Sequence, residues 1–361
     1  MQIKQILNFK KNTLSLTLSV FFVLVALTGF AQEGTEAAEH AKEGDHAEEA
    51  FNPAESILEH ISDSHGWHLW GHTTLPLPVI LYTDKGIETF SSSKFGHGEE
   101  TYAGKHYNYK LEKNKVKVVA ASGSVDEEKS KKLIDFSITK NVASLWLSIL
   151  IILAIFLSIA SSYKKRVGKA PKGLQSFFEP IIVFVRDEIA KPNIGYKYER
   201  YMPLLLTFFF FILVNNLMGL VPFFPGGANV TGNISVTFVL ATITLLVTNF
   251  SANKYYWKHI FLPGTPKWLY PIMWPVEIIG IFSKPIALMI RMFANITAGH
   301  IIVLALISII FVFKSVAVAP ASVLFVVFMD VLELLVAMLQ AYIFTLLSAL
   351  FIGSAIEEHH H

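Results

Sequence analysis

Long apolar blocks separated by short polar links fill the second half of the chain. Val142–Ala160, about Met202–Val221 and about Ile234–Phe250 each approach the ~20 residues that a membrane helix requires. After Pro275 the pattern changes. The run from Lys284 to Lys314 corresponds to roughly 45 Å of helix at 1.5 Å per residue, against a hydrocarbon core only ~30 Å thick. Ala321–Ile356 is too long in the same way. The two segments are predicted to form an antiparallel hairpin turning near residue 317, in KSVAVAPAS, with a tilt well beyond the ~20° average. Such a tilt suits helices that wrap around something curved. The predicted class is an all-α polytopic membrane protein of about five membrane helices, with a membrane domain over residues 139–358.

The first half reads differently. Lys4, Lys10 and Lys11 precede a short apolar run, Leu14 to Leu27, and Gly29-Phe30-Ala31 supplies small residues for cleavage, so residues 1–31 read as a secretory signal. Residues 32–138 then form an exported extension, acidic and histidine-rich at first and predicted to be partly disordered. Its second half carries strand-like pieces: LPVILYT and IETF around the turn Asp84-Lys85-Gly86, and VKVVAASG later. Eight of the 13 histidines fall here (40, 46, 60, 65, 68, 72, 97 and 106), without HExxH spacing. A solvated extension explains them better than a metal site.

Charge orients the membrane part. The link 161–173 carries Lys164, Lys165, Arg166, Lys169 and Lys172, and the link 251–267 carries Lys254, Lys258 and Lys267, whereas VPFFPGGANVTGN is uncharged. By the positive-inside rule the first two links are cytoplasmic and the third is outside, which agrees with an exported N-terminus. The segment LQSFFEPIIVFVRDEIA is amphipathic and is predicted to lie on the membrane surface. Composition supports this class: 53% hydrophobic, only 16% charged, mean hydropathy +0.48. With no cysteine, disulfides, thiolate metal sites and cysteine nucleophiles are excluded. There is no glycine-rich phosphate loop and no basic-aromatic surface for nucleic acid.

The polar residues inside the apolar blocks are the candidate chemistry. Arg291 stands in the middle of a long helix, where a cation costs several kcal/mol. At 100° per residue, Glu277, Lys284, Arg291 and Asn295 share a stripe, with Pro285 as a kink point, and Glu277 is too far along the axis, ~21 Å, to neutralise Arg291. Folding the hairpin at 317 puts Gln340 level with Asn295, and His300 at the depth of Glu333. His300 lies on the opposite side of its helix from Arg291, so one surface would hold a lone cation and another would pair an imidazole with a carboxylate. Lys284 has the position of a residue that snorkels to the interface.

These segments resemble a known family. SKPIALMIRMFANITAGH with ELLVAMLQAYIFTLLSALFIGSAIEEH, and RYMPLLLTFFFFILVNNLMGLVP with NVTGNISVTFVLA, are similar to subunit a of the F-type ATP synthase membrane sector over about residues 140–358. The resemblance implies a non-catalytic stator half of a rotary ion motor, with no cofactor and no metal. Its implied partners are the c-ring, the peripheral-stalk subunit b, the remaining ATP synthase subunits and the lipid bilayer. Arg291 matches the family's essential arginine, Asn295 its asparagine partner and Gln340 its glutamine on the last helix. Glu277, Lys284 and Asn216 match polar positions on the access path, His300 and Glu333 form an exchanged histidine–glutamate pair, and Asp330 would line the outer path. Gly219 stands where some relatives carry an acidic residue, and the resemblance says nothing about residues 32–138. The implied location is a bacterial inner membrane, N-terminus periplasmic and C-terminus cytoplasmic. Two other classes compete: a secondary transporter, which would favour inverted repeats that this sequence lacks, and a periplasmic metal-binding membrane protein resting on the histidines alone.

Overall fold

In a computed structural model, the protein is described over residues 61–357 except 71–72, 99, 113, 121–122, 166–167, 222–223, 263–264 and 314–317, together with positions 53, 54 and 57. The predicted signal, most of the acidic histidine-rich stretch and the turn at 317 lie outside the described residues. Two compact units are present. One comprises the N-terminal part through Ser144, Gly219–Ala228 and Gly299–Leu332; the other comprises Leu145–Met218, Asn229–Ala298 and the segment from Glu333 onward.

In the first unit, short strands alternate inward and outward residues. They are β1 (Gly66–Trp70), β2 (Thr73–Pro76), β3 (Pro78–Thr83), β4 (Gly86–Ser91), β5 (Tyr102–Ala103), β6 (Asn108–Glu112), β7 (Lys115–Val119) and β8 (Ile134–Asp135), with α1 (Glu127–Lys132) before the last. Three antiparallel sheets result: β1-β2, β4-β3-β8 and β5-β6-β7. The predicted hairpin is present, closing Thr83 on Gly86, whose φ of 126° suits glycine alone. Val79 and Leu81 face inward with Phe95, Tyr109, Val116 and Val118 to form a core, and Phe90 stacks on Tyr109. Burial of these side chains is the main term holding the module together. Glu88, buried beneath, accepts the Tyr109 hydroxyl at 2.9 Å and the Lys105 amide, which satisfies a carboxylate that burial would otherwise penalise.

The strand β8 feeds the first membrane helix, α2 (Lys140–Lys165), through a backbone ladder in which Phe136 donates to Ile80 and Ile138 donates to Pro78. At its start the Lys140 amide donates to the Ser64 carbonyl and the Asn141 amide to the Asp63 carboxylate at 3.0 Å. A carboxylate at a helix N-terminus satisfies free N–H groups and favours the dipole. The chain therefore passes from strand to span without a flexible link.

The second unit is helical. α3 (Leu174–Phe184), a π-helical turn (Val185–Ala190) and the single turn Lys191–Ile194 lead into α4 (Tyr198–Gly219), with α5 (Ile234–Ser251) and the short α6 (Lys254–Phe261) after it. The amphipathic segment was expected as a separate surface element. It instead runs almost continuously into the span, so that 174–219 reads as one apolar helical stretch of 46 residues. The reason is visible in Val185, Ile189, Ala190 and Ile194, which are buried in the same core as Leu205, Phe208 and Phe344.

The last two helices are α7 (Tyr270–Phe313) and α8 (Ala319–Ile356), and both contribute residues to each unit. α7 is longer than expected, 44 residues or about 66 Å, and continues through Pro275 and Pro285. α8, 38 residues or about 57 Å, also exceeds the bilayer thickness. Among the described residues five helices are long and apolar enough to cross a membrane. The C-terminal end of α8 is held by its own chain, because Asn253 donates its amide to Ala355 O at 2.8 Å and its side chain to Ile356 O at 2.6 Å. One glycine is decisive here: a Cβ on Gly353 would collide with the backbone carbonyl of Asn193.

Candidate functional site

Arg291 lies on the exposed side of α7. Lys284, Ala287, Ala294, Asn295 and Ala298 are exposed with it, while Leu288 and Met292, at 1% and 0% exposure, face the core beside Ala341 and Phe344. The exposed positions closest to the guanidinium on the helix surface are thus small, with Ile286 and Ile290 exposed at their edge. Among the described residues no ion pair involves Arg291. The small flanking side chains leave room for another helix to come close to it.

One turn further along, Asn295 Nδ2 donates to Gln340 Oε1 at 3.3 Å. Gln340 is 2% exposed, and its own amide nitrogen has no hydrogen-bond partner. The depth register expected from a hairpin turning near 317 is thus realised at this pair. Nearer the far end of α4, Asn216 is buried and donates to the Ala337 carbonyl at 3.1 Å, a backbone tie to α8 one turn before Gln340. Asn215 donates within its own helix, to Phe211 O.

Glu277 and Lys284 stand fourteen and seven residues before Arg291 on the same helical stripe. A pocket lies beside them, lined by Thr248, Asn249, Tyr256, Lys284, Pro285 and Ser354 among others. The Lys284 ammonium sits 5.7 Å from the centre of the Phe351 ring. Burial raises the Tyr256 hydroxyl above its usual value, and the nearby Glu277 carboxylate adds to that effect. Thr248, Asn249 and Tyr256 were not singled out in the sequence. No pattern distinguishes them from ordinary polar residues near helix ends, and only the fold collects them around Lys284.

His300 and Asp330 belong to the first unit, Glu333 to the second. All three are half-buried. Gly219 is the neighbour of His300: a Cβ there would lie 4.0 Å from the imidazole Nε2 and 3.4 Å from the Ala228 carbonyl. Gly219 itself places no side chain between the Ala228 carbonyl and the imidazole. Of the extension's histidines, His65 is bonded through Nε2 to Asp135 at 2.9 Å, and no cluster of three metal-binding side chains exists among the described residues.

Residues 142–353 match the family described as ATP synthase A chain. The chain belongs to this family. It is 50% identical over 232 residues to ATP synthase subunit a of Chloroherpeton thalassium (63% of this chain, 69% of that one). It is 52% identical over 233 residues to that of Chlorobium phaeobacteroides (62% and 67%), and 50% identical over 228 residues to ATP synthase subunit a 2 of Chlorobaculum tepidum (61% and 64%). The chain thus spans about two thirds of the length of these relatives. Membership in the ATP synthase A chain family makes it a non-catalytic, ion-translocating subunit of the membrane sector, multi-pass in the bilayer. A transporter with inverted repeats and a metal-scavenging protein are both set aside. Residues 56–136 match a separate family, described as Domain of unknown function (DUF8433), over almost the same stretch as the β module.

Proposed function

We propose that Arg291 is the stator cation past which carboxyls of a rotating c-ring must move. The observation that carries this reading is its place on the exposed side of α7 among small neighbours, one turn from the Asn295–Gln340 pair and outside any ion pair among the described residues. A ring carboxyl facing lipid must be protonated or ion-loaded, because desolvation penalises its charge. Beside Arg291 the nearby cation favours the carboxylate, and the proton leaves. Asn295 lies on the same surface, and the buried Gln340 behind it accepts from its amide.

The fixed positive charge also keeps two aqueous paths apart. The outer path runs by His300, Glu333 and Asp330. The inner path runs through the pocket at Lys284 beside Glu277, on the side where the basic links 161–173 and 251–267 face the cytoplasm. Asn216 acts as a tie that fixes α4 to α8 through the Ala337 carbonyl. The N-terminal module is then periplasmic, the C-terminus cytoplasmic, and the membrane is a bacterial inner membrane. The working partners are the c-ring, subunit b, the other ATP synthase subunits and lipid. A potential of 100 mV supplies ~2.3 kcal/mol per charge, so several ions must pass for each ATP.

The test is ATP-driven pumping by the assembled complex in reconstituted vesicles, measured against pH and against sodium. Arg291→Ala abolishes it in either ion. Coupled transport that persists in that variant overturns the reading.

A further inference from the structure

The β module reaches into the loop that follows α4. Trp67, on β1 and 4% exposed, donates its indole N–H to the Gly226 carbonyl at 3.1 Å, and its ring meets Phe224 edge-on at a centroid distance of 5.1 Å. The same loop continues to Ala228, 1% exposed, whose carbonyl lies against Gly219, the residue beside the His300 imidazole. All of these residues belong to one compact unit. The module is rigidly tied at its other end, since Asp63 and Ser64 hold the first amides of α2 and His65 is bonded to Asp135. The strand that carries Trp67 begins one residue after His65.

We propose that the exported module is a positioning element of the outer proton path. Through Trp67 it fixes the 224–228 loop over Gly219 and so sets the space and water access around His300. The inference rests on the outer-path reading given above. Two observations point this way. An indole donor in a buried position needs its acceptor, so the loop carbonyl is held at one place. Gly219 has no side chain, and a Cβ placed there would lie 3.4 Å from the Ala228 carbonyl and 4.0 Å from the imidazole Nε2, so the loop backbone and the imidazole flank the same small space. A loop between membrane helices carrying two adjacent glycines, Gly226 and Gly227, would otherwise adopt many conformations. Trp67 does not touch the moving ion. It acts through the loop.

The experiment uses the assembled complex in oriented vesicles and records the dependence of proton-driven ATP synthesis on the pH of the outer compartment. Trp67→Ala is expected to lower the rate several-fold and to shift the outer-pH profile by half a unit or more, with the inner-pH profile unchanged. Trp67→Phe keeps the ring against Phe224, loses the donor and falls between. A His300→Ala control separates the two layers. If His300→Ala changes the outer-pH profile and Trp67→Ala does not, the positioning role is overturned. If His300→Ala leaves that profile unaltered, the outer-path reading itself fails. Should Trp67→Ala not assemble, Trp67→Phe with the same profile and rate as the parent overturns the proposal, and a shifted profile supports it.

Discussion

Asn295 and Gln340 meet across α7 and α8 at 3.3 Å, one turn beyond Arg291, and this amide pair fixes the relative height of the two long helices. Gln340→Ala removes the acceptor and leaves the Asn295 donor without it. Because Asn295 is exposed, the expected cost is that of one net hydrogen bond, about 0.5–1.5 kcal/mol. A double-mutant cycle with Asn295→Ala, read by thermal stability of the complex, should show coupling of about 1 kcal/mol. Strict additivity would show that the two amides do not interact.

Arg291→Ala should leave assembly largely intact and abolish proton-driven ATP synthesis, a loss of at least two orders of magnitude in vesicles. Removal of the cation deletes the field that discharges a ring carboxyl. Arg291→Lys keeps the charge and loses the planar fork, so it should retain only a trace of coupled activity.

His300→Ala combined with Glu333→Ala should slow transport without uncoupling it, because the separating charge remains in place. Rate of acidification and tightness of coupling are measured in the same vesicles. A full transport rate in the double variant would count against the outer path.

Acid should loosen the β module in a defined window. Burial alone would raise the Asp135 carboxyl, but its hydrogen bonds from His65 and Ser137 outweigh that and hold it below the usual range. A carboxyl depressed in the folded state adds stability above its unfolded value, near 3.9, and loses it as pH falls through the folded value. Protease resistance of residues 61–138 should be flat from pH 8 to about 5 and decline below about 4. Asp135→Asn should start lower and lose that acid-side decline.

Much of the membrane part was legible in advance because its signals are local. Apolar block length located the five spans. Arg291, Asn295 and Gln340 stood out because a polar residue inside an apolar run requires a reason. The early start of α7 at Tyr270 was missed, because Pro275 read as the point where the pattern changes although a helix with neighbours tolerates proline. The continuity of 174–219 escaped for a related reason: Val185, Ile189 and Ile194 look like a surface stripe until Leu205 and Phe208 are seen covering them. Trp67 was invisible as a contact, since its partners Phe224 and Gly226 lie more than 150 residues away in sequence. The pocket at Thr248, Asn249 and Tyr256 is likewise a product of the fold.

Gly353→Ala should be among the most damaging single-methyl changes in the chain. Its Cβ meets the Asn193 backbone, which cannot rotate aside as a side chain would. Overpacking of this kind costs about 1–3 kcal/mol, and a reduced yield of assembled complex is the measurement.

That backbone-on-backbone contact has a mechanical meaning. In the proposed motor a turning ring would exert drag on the helices beside it, and drag along α8 would move Gln340 out of step with Asn295. At Gly353 the helix bears directly on the Asn193 peptide, a stop with almost no compliance. Thirteen residues from the amide pair, an absent side chain serves as the brace against axial slip.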